Sequence, residues 1–273
     1  MAHGGFTRNE TNGVTTYAVS FLEQTGLVRA AFSTRIGGVS QGETATMNFS
    51  TKRADTVENV RENYRRLCAA TGIYPAHLVV TRQVHGTTVY EPCGDEVVGV
   101  GIFDDRVSPE ADALMTDRRG VALVKHSADC VPVWVVDTAT PAIALIHAGW
   151  RGTYEEIVAK TLARMAERYG TLPVNCLAAI GPSIGPCCFE VGDDVADLFA
   201  ARFPGDDLVT QQDGHPHVDL WRCNERQLLR AGVPAASIAV AGLCTACDTA
   251  TFYSHRRERG HTGVMAAVLE LRG

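Results

Sequence analysis

Residues 142–156 read AIALIHAGWRGTYEE. Ala142-Ile143-Ala144-Leu145-Ile146 is a short unbroken apolar run, the pattern of a strand covered on both faces. The run stops at His147, and Gly149 and Gly152 then bracket Trp150-Arg151 ahead of a stretch with helical spacing. A buried strand that passes through a glycine turn into a helix belongs to an α/β protein, where the sheet holds the turn rigid and its tip stays accessible. His147 sits at such a tip.

Working outward, TYEEIVAKTLARMAERYG (153–170) predicts a helix with Thr153 and Glu156 as a capping box and Ile157, Val158, Leu162 and Met165 on one face. DTVENVRENYRRLCAATG (55–72) predicts another, opened by Asp55 and Glu58 and stopped at Gly72. LVRAAFSTRIGG (27–38) reads as a strand ending in a Gly-Gly turn, and HLVVTRQVHGTTVYEP (77–92) as strand, turn and strand. GVALVKHSADCVPVWVVD (120–137) holds two β-rich runs joined across Ala128-Asp129-Cys130. Further helices are expected at 192–203 and 219–231, further strands at CLAAIG, SIAVAGL and TGVMAAVLEL, and a loop at His215-Pro216-His217. Hairpins mixed with crossover helices imply a mixed α/β sheet structure whose strand order stays open at this level.

The chain has 273 residues, 45% hydrophobic and 21% charged, enough to build a large core without disulfides. No linker or long charge run divides it, so residues 1–273 read as a single domain. With 25 basic and 31 acidic residues the net charge is −6, which argues against a general affinity for nucleic acid or anionic membrane. Any anion site must be local. The amino terminus lacks the basic and apolar regions of a signal peptide, and no apolar run is long enough to span a bilayer. A cytoplasmic enzyme with nine reduced cysteines is the expectation.

Two more residues able to bind a borderline metal follow apolar runs as His147 does: His85 in RQVHG and Cys130 in SADC. One sulfur and two imidazoles suit Zn²⁺, and three protein ligands leave a fourth position for chemistry. Their separation, 44 and then 16 intervening residues, is unlike any short metal signature, so spacing alone favours a core cysteine and two hydrogen-bonded histidines. Arg151 and Arg35, each beside glycine turns, are the anion candidates. Asp129, next to Cys130, is placed to orient a ligand imidazole, to act as acid and base, or equally to form the turn itself. Cys187-Cys188 and Cys244-x-x-Cys247 read as thiols in the core or at the surface, since vicinal cysteines rarely give both sulfurs to one tetrahedral ion.

RQVHG, SADCVPV, HAGWRG, GPSIGPCCFEVG and CTACDTATFYSHRRERG occur in the order seen in the YfiH-like laccase-domain family, and the likeness runs from FSTRIGGVSQG at 32 to the last strand. This resemblance implies an α/β/β/α sandwich-like fold and a metal, normally zinc, held by His85, Cys130 and His147. It implies phosphorolysis of purine nucleosides (adenosine, inosine, methylthioadenosine) with deamination of adenosine, so that purine nucleoside and phosphate are the expected partners. It also places Asn48 and Arg256 near the substrate. The segment RRERGHTGV departs from the family's RRDGGTGR: the arginine after Thr262-Gly263 is absent and His261 is added.

The family's polyphenol oxidase label would need copper held by His₂Cys with a weak axial ligand and a further histidine-rich copper cluster. The chain's nine histidines are too scattered for that, which makes copper the less favoured metal. Some relatives are described as removing misincorporated serine from a peptidoglycan precursor. That chemistry would use Cys130 as thiolate nucleophile and His147 or His85 as base, a scheme the same residues allow. A metal-stapled scaffold without activity is the third reading.

Overall fold

The 142–146 run lies inside strand β10 (Ala142–Ala148), and every residue of that strand is buried. A computed structural model gives the fold and describes residues 2–93, 99, 102–103 and 108–273. β10 is near the centre of a sheet ordered β14 (Ile238–Val240), β11 (Cys176–Ile180), β9 (Val131–Asp137), β10, β7 (Ala113–Thr116) and β6 (Val89–Tyr90). A second sheet runs β1 (Ala2–His3), β2 (Phe6–Thr11), β3 (Val14–Ala18), β4 (Val28–Ser33), β15 (Met265–Leu271), β8 (Ala122–Ser127) and β5 (Leu78–Val80). Both sheets mix parallel and antiparallel pairs: β11 with β14 and β5 with β8 are parallel, while β9 with β10 and β15 with β4 are antiparallel.

The sheets stack face to face. Trp134, Val136, Ile143 and Leu145 of one pack on Phe32, Leu123, Ala267 and Leu269 of the other. The buried indole Nε1 of Trp134 donates 2.9 Å across this layer to the Val268 carbonyl, so the largest core side chain leaves no polar atom unpaired. On the outer face of the first sheet, Val133, Val135 and Ile146 meet α4 (Ile157–Tyr169), α5 (Asp193–Arg202) and α6 (Leu220–Arg230). On the other outer face Val80, Val124 and Val268 meet Val60, Tyr64 and Leu67 of α2 (Val57–Thr71). This is the four-layer α/β/β/α arrangement, and it explains why the central strands read as unbroken apolar runs rather than alternating ones.

Several local expectations are corrected. The amino-terminal cap of α2 is Thr56, whose side chain accepts from the Asn59 amide, and not Asp55; Gly72 does end the helix in the left-handed region. The 153–170 helix is two helices. α3 (Trp150–Tyr154) is capped by Gly149, the chain kinks through Glu156 at φ 59°, and α4 then buries Ile157, Val158, Leu162 and Met165 as anticipated. Thr153 and Glu156 therefore form no capping box. The 215–217 segment is part of a strand, β13 (His215–Val218), paired with β12 (Val209–Gln212) across a tight turn at Asp213-Gly214.

The β-rich runs at 77–92 and 120–137 are not hairpins. β5 and β8 belong to one sheet, β6 and β9 to the other, so the chain crosses between sheets at 81–88 and again at 128–130. A third crossing, 241–264, links β14 to β15 at the same end. No helix among the described residues is long and apolar enough to cross a membrane, and all nine cysteines are free thiols.

Candidate metal centre

The first two crossings and the end of β10 bring His85, Cys130 and His147 together. One ligand atom from each lies within 4.8 Å of the others, and the two imidazoles meet edge to face with centroids 5.0 Å apart. Gly149 explains itself here. A Cβ on that residue would stand 3.0 Å from His85 Cδ2, 3.2 Å from Cys130 Sγ and 3.7 Å from His147 Cε1, so the backbone of the turn forms the wall of the cluster. The fit to a metal rests on this donor set: two nitrogens and a sulfur converging with room for no side chain beneath them.

Asp112 organises the histidines. Its Oδ1 lies 2.9 Å from His147 Nδ1, and its carboxylate accepts the amide hydrogens of Val84 (3.2 Å), His85 (3.0 Å) and Gly86 (2.8 Å). Burial opposes ionisation of Asp112, but the His147 contact and those amides outweigh it and draw its pKa down to about 2. With Nδ1 engaged, His147 keeps Nε2 for a metal. Burial lowers the His147 pKa against the pull of Asp112, which favours the neutral, ligating imidazole. Burial, reinforced by Asp129 and Asp112, pushes the Cys130 thiol up to about 12. A cation is what would make it a thiolate.

One member of the cluster and one neighbour occupy the left-handed region, His85 at φ 61° and Asp129 at φ 94°. Such conformations cost about 1–3 kcal/mol for a side-chain-bearing residue and persist where neighbours over-determine them. For His85 the Asp112 carboxylate does so. For Asp129 the reverse holds: its own carboxylate accepts from Thr245 Oγ1 (2.7 Å), Ser254 Oγ (3.1 Å) and the Arg256 amide (2.7 Å). Asp129 therefore fastens the third crossing, and the imidazole-orienting role expected of it falls to Asp112.

The cluster lies in a cleft of about 1360 Å³. Lys52, Arg53, Arg82, Arg151 and Arg256 line it against Asp129, Glu190 and Asp193, a local cationic excess in an acidic chain. Arg151 lies with its guanidinium 4.4 Å from the Trp150 ring centroid and meets no carboxylate among the described residues. Arg82 is paired with Glu110, and Arg53 donates to the Gly260 carbonyl at 3.1 Å. Arg256 stacks 5.5 Å from the Phe189 ring and donates to the Cys188 carbonyl at 3.3 Å. Trp150, Phe189, Ile184 and Val264 add apolar wall.

Two sequence candidates stand outside the cleft. Arg35 is spent on structure: it donates to the Thr249 and Ala45 carbonyls, pairs with Glu258 at 3.0 Å and stacks on Tyr253. Asn48 is fully buried, donating to Ser50 O and Asp55 and accepting from the Ser50 and Val264 amides. Conversely Asp112, Lys52, Gln83 and His126 had no local signal, because each acts through partners distant in sequence.

Residues 29–272 match the family model described as multi-copper polyphenol oxidoreductase laccase. The chain belongs to this laccase-type family. It is 37% identical over 244 residues to the purine nucleoside phosphorylase YlmD of Geobacillus stearothermophilus, covering 88% of this chain and 89% of that one. It is 34% identical over 232 residues to a protein named adenosine deaminase from an unknown prokaryotic organism, covering 83% and 88%. The crystal structure of YlmD from Geobacillus stearothermophilus superposes with a TM-score of 0.90 over 99% of this chain and all of that chain. For this member of the laccase-type family the described residues hold two groups able to bind a metal, the His₂Cys set and a cluster of four cysteines. Neither is the histidine-rich cluster that a multicopper oxidase uses for dioxygen.

Proposed function

We propose that this protein is a zinc-dependent purine nucleoside phosphorylase, acting on adenosine, inosine and methylthioadenosine, that also deaminates adenosine. The observation that carries the reading is the His85–Cys130–His147 convergence at a cleft that combines cationic side chains with aromatic wall. The names of two relatives, purine nucleoside phosphorylase and adenosine deaminase, support purine nucleosides as the substrate class.

Phosphorolysis breaks the bond from the sugar's anomeric carbon to the purine and makes one to a phosphate oxygen. Arg151 and Arg256 are the groups to hold that phosphate, since a guanidinium matches two of its oxygens at once. Phe189 and Trp150 provide faces for the purine, and closing base and sugar into the apolar part of the cleft excludes competing water. Zinc, when bound, supplies Lewis acidity and acidifies water. Asp112 contributes indirectly by fixing the His147 tautomer and the 84–86 backbone.

A thiol nucleophile acting on a peptidoglycan precursor is less well supported. Burial pushes the Cys130 thiol up to about 12, which opposes the thiolate that such a nucleophile needs.

Turnover assays on adenosine, inosine and methylthioadenosine with and without phosphate test the proposal. Free base should appear only with phosphate, inosine should form from adenosine without it, and Cys130→Ala should abolish both reactions. Retained turnover in Cys130→Ala, or base release indifferent to phosphate, would remove the proposed chemistry.

A further inference from the structure

Four cysteines outside the catalytic cluster converge where the third crossing meets the segment after β11. Ligand atoms of Cys187, Cys188, Cys244 and Cys247 all lie within 4.8 Å of one another. Cys247 Sγ is 3.6 Å from Cys187 Sγ and 3.5 Å from Cys188 Sγ. A tetrahedral Zn²⁺ with Zn–S of about 2.3 Å requires sulfurs about 3.8 Å apart, so the cluster already has nearly that edge. Because Cys247 touches both members of the vicinal pair, no single disulfide partner is singled out.

The backbone builds this arrangement. Pairing of β11 with β14 continues beyond the strands as a bridge from Ser183 to Cys244, with the Ser183 amide on Leu243 O at 3.1 Å and the Thr245 amide on Ser183 O at 3.0 Å. Each cysteine pair then sits on one helical turn. Phe189 N donates to Gly185 O at 3.0 Å and Asp248 N to Cys244 O at 3.2 Å. The Cys-x-x-Cys spacing places Cys244 and Cys247 on one side of its turn, and the tight 185–189 turn presents both vicinal sulfurs to them. The surroundings suit an anionic tetrathiolate: the Gly185 amide donates to Cys244 Sγ at 3.2 Å, and Arg257 Nη2 reaches Cys188 Sγ at 3.9 Å.

We propose that Cys187, Cys188, Cys244 and Cys247 form a second metal site, a tetrathiolate that binds one zinc ion and clamps the 185–189 turn to the 244–248 turn. Each thiol releases its proton to solvent as it ligates. All four positions are taken by protein, so the site is structural rather than catalytic. Its effect reaches the cleft through Cys188, whose carbonyl accepts from the Arg256 guanidinium, and through the adjoining Phe189.

Metal content of protein purified under reductant tests the site independently of the first, because Cys130→Ala removes the first site's only sulfur. That variant should retain one zinc per chain, and the exposed pair Cys187→Ser/Cys247→Ser should lose one relative to the parent. Cobalt loading of the parent needs no substitution. It should give the intense thiolate-to-metal and tetrahedral absorption bands of an S₄ set; Cys130→Ala should lose only the weaker one-sulfur contribution of the first site, and Cys187→Ser/Cys247→Ser should lose the S₄ bands and keep that contribution. A metal-free Cys130→Ala protein without those cobalt bands, or a Cys247 disulfide found by peptide mapping of the native protein, would overturn the proposal.

Discussion

The Asp112 carboxylate meets the His147 ring across 2.9 Å, and the same group gathers three consecutive amides that carry the His85 ring. One buried side chain thus fixes two imidazoles whose positions in the sequence are 62 residues apart. Such outer contacts orient metal-binding histidines, and their loss typically costs about 10–100-fold in metal affinity. Asp112→Asn should show a loss of that size, because the amide retains one acceptor and turns an NH₂ towards groups that themselves donate. Competition against a chromophoric chelator measures it, and an unchanged affinity would reduce Asp112 to a packing role.

Gly149→Ala should empty the His₂Cys centre while leaving the fold in place. The residue has φ −66°, open to any side chain, so the substitution carries no backbone strain. The obstacle is space: the new methyl would press on His85 Cδ2 at 3.0 Å and Cys130 Sγ at 3.2 Å. A loss of turnover of about tenfold or more is expected, with one metal ion fewer per chain and a melting temperature close to that of the parent depleted of that one ion. Metal analysis and calorimetry check it, and full metal occupancy in the alanine variant would contradict the assigned contact.

How far the sequence spoke depends on the range of each signal. The apolar run 142–146, the Gly72 stop and the apolar face of α4 are set by residues a few positions apart, and they read correctly, although the strand continues two residues further to Ala148. The Asn12-Gly13 turn between β2 and β3 was equally legible, with both residues at positive φ, yet no strand was expected in that segment. The pairing of β8 and β9 with different sheets left no local trace, because a hairpin and a crossover both begin with a short polar break. The site divides the same way. His85, Cys130 and His147 each follow an apolar run, whereas Asp112 lies beside β7 as an ordinary acidic residue until the fold brings it against the 84–86 loop and the end of β10. Arg35 stands beside Gly37-Gly38, and a glycine-rich turn looks alike whether it cradles a ligand or, as here, its own chain; Asn48, placed near the substrate by the resemblance alone, holds backbone at 50 and 264.

His126 gives the protein a sensitivity to acid that can be separated from metal release. Burial first, then the cationic neighbours Lys125, His147 and Lys52, push its pKa down to about 3. Its Nε2 is 2.5 Å from the Tyr64 hydroxyl, and Gln83 brackets its backbone with bonds of 2.7 and 2.8 Å, so the ring cannot turn out to solvent without breaking that wall of the cleft. An unfolded histidine titrates near about 6.5. Between that value and about 3 the unfolded chain binds a proton that the native chain refuses, so stability falls as pH drops through this window and is unaffected above it. His126→Gln retains an acceptor for Tyr64 but cannot titrate. Melting temperatures followed downward from neutral pH, with zinc saturating in both samples, should fall more steeply for the parent than for the variant. Parallel profiles would mean that the native protein protonates His126 as readily as the unfolded chain does, and the neutral imidazole would have to be abandoned.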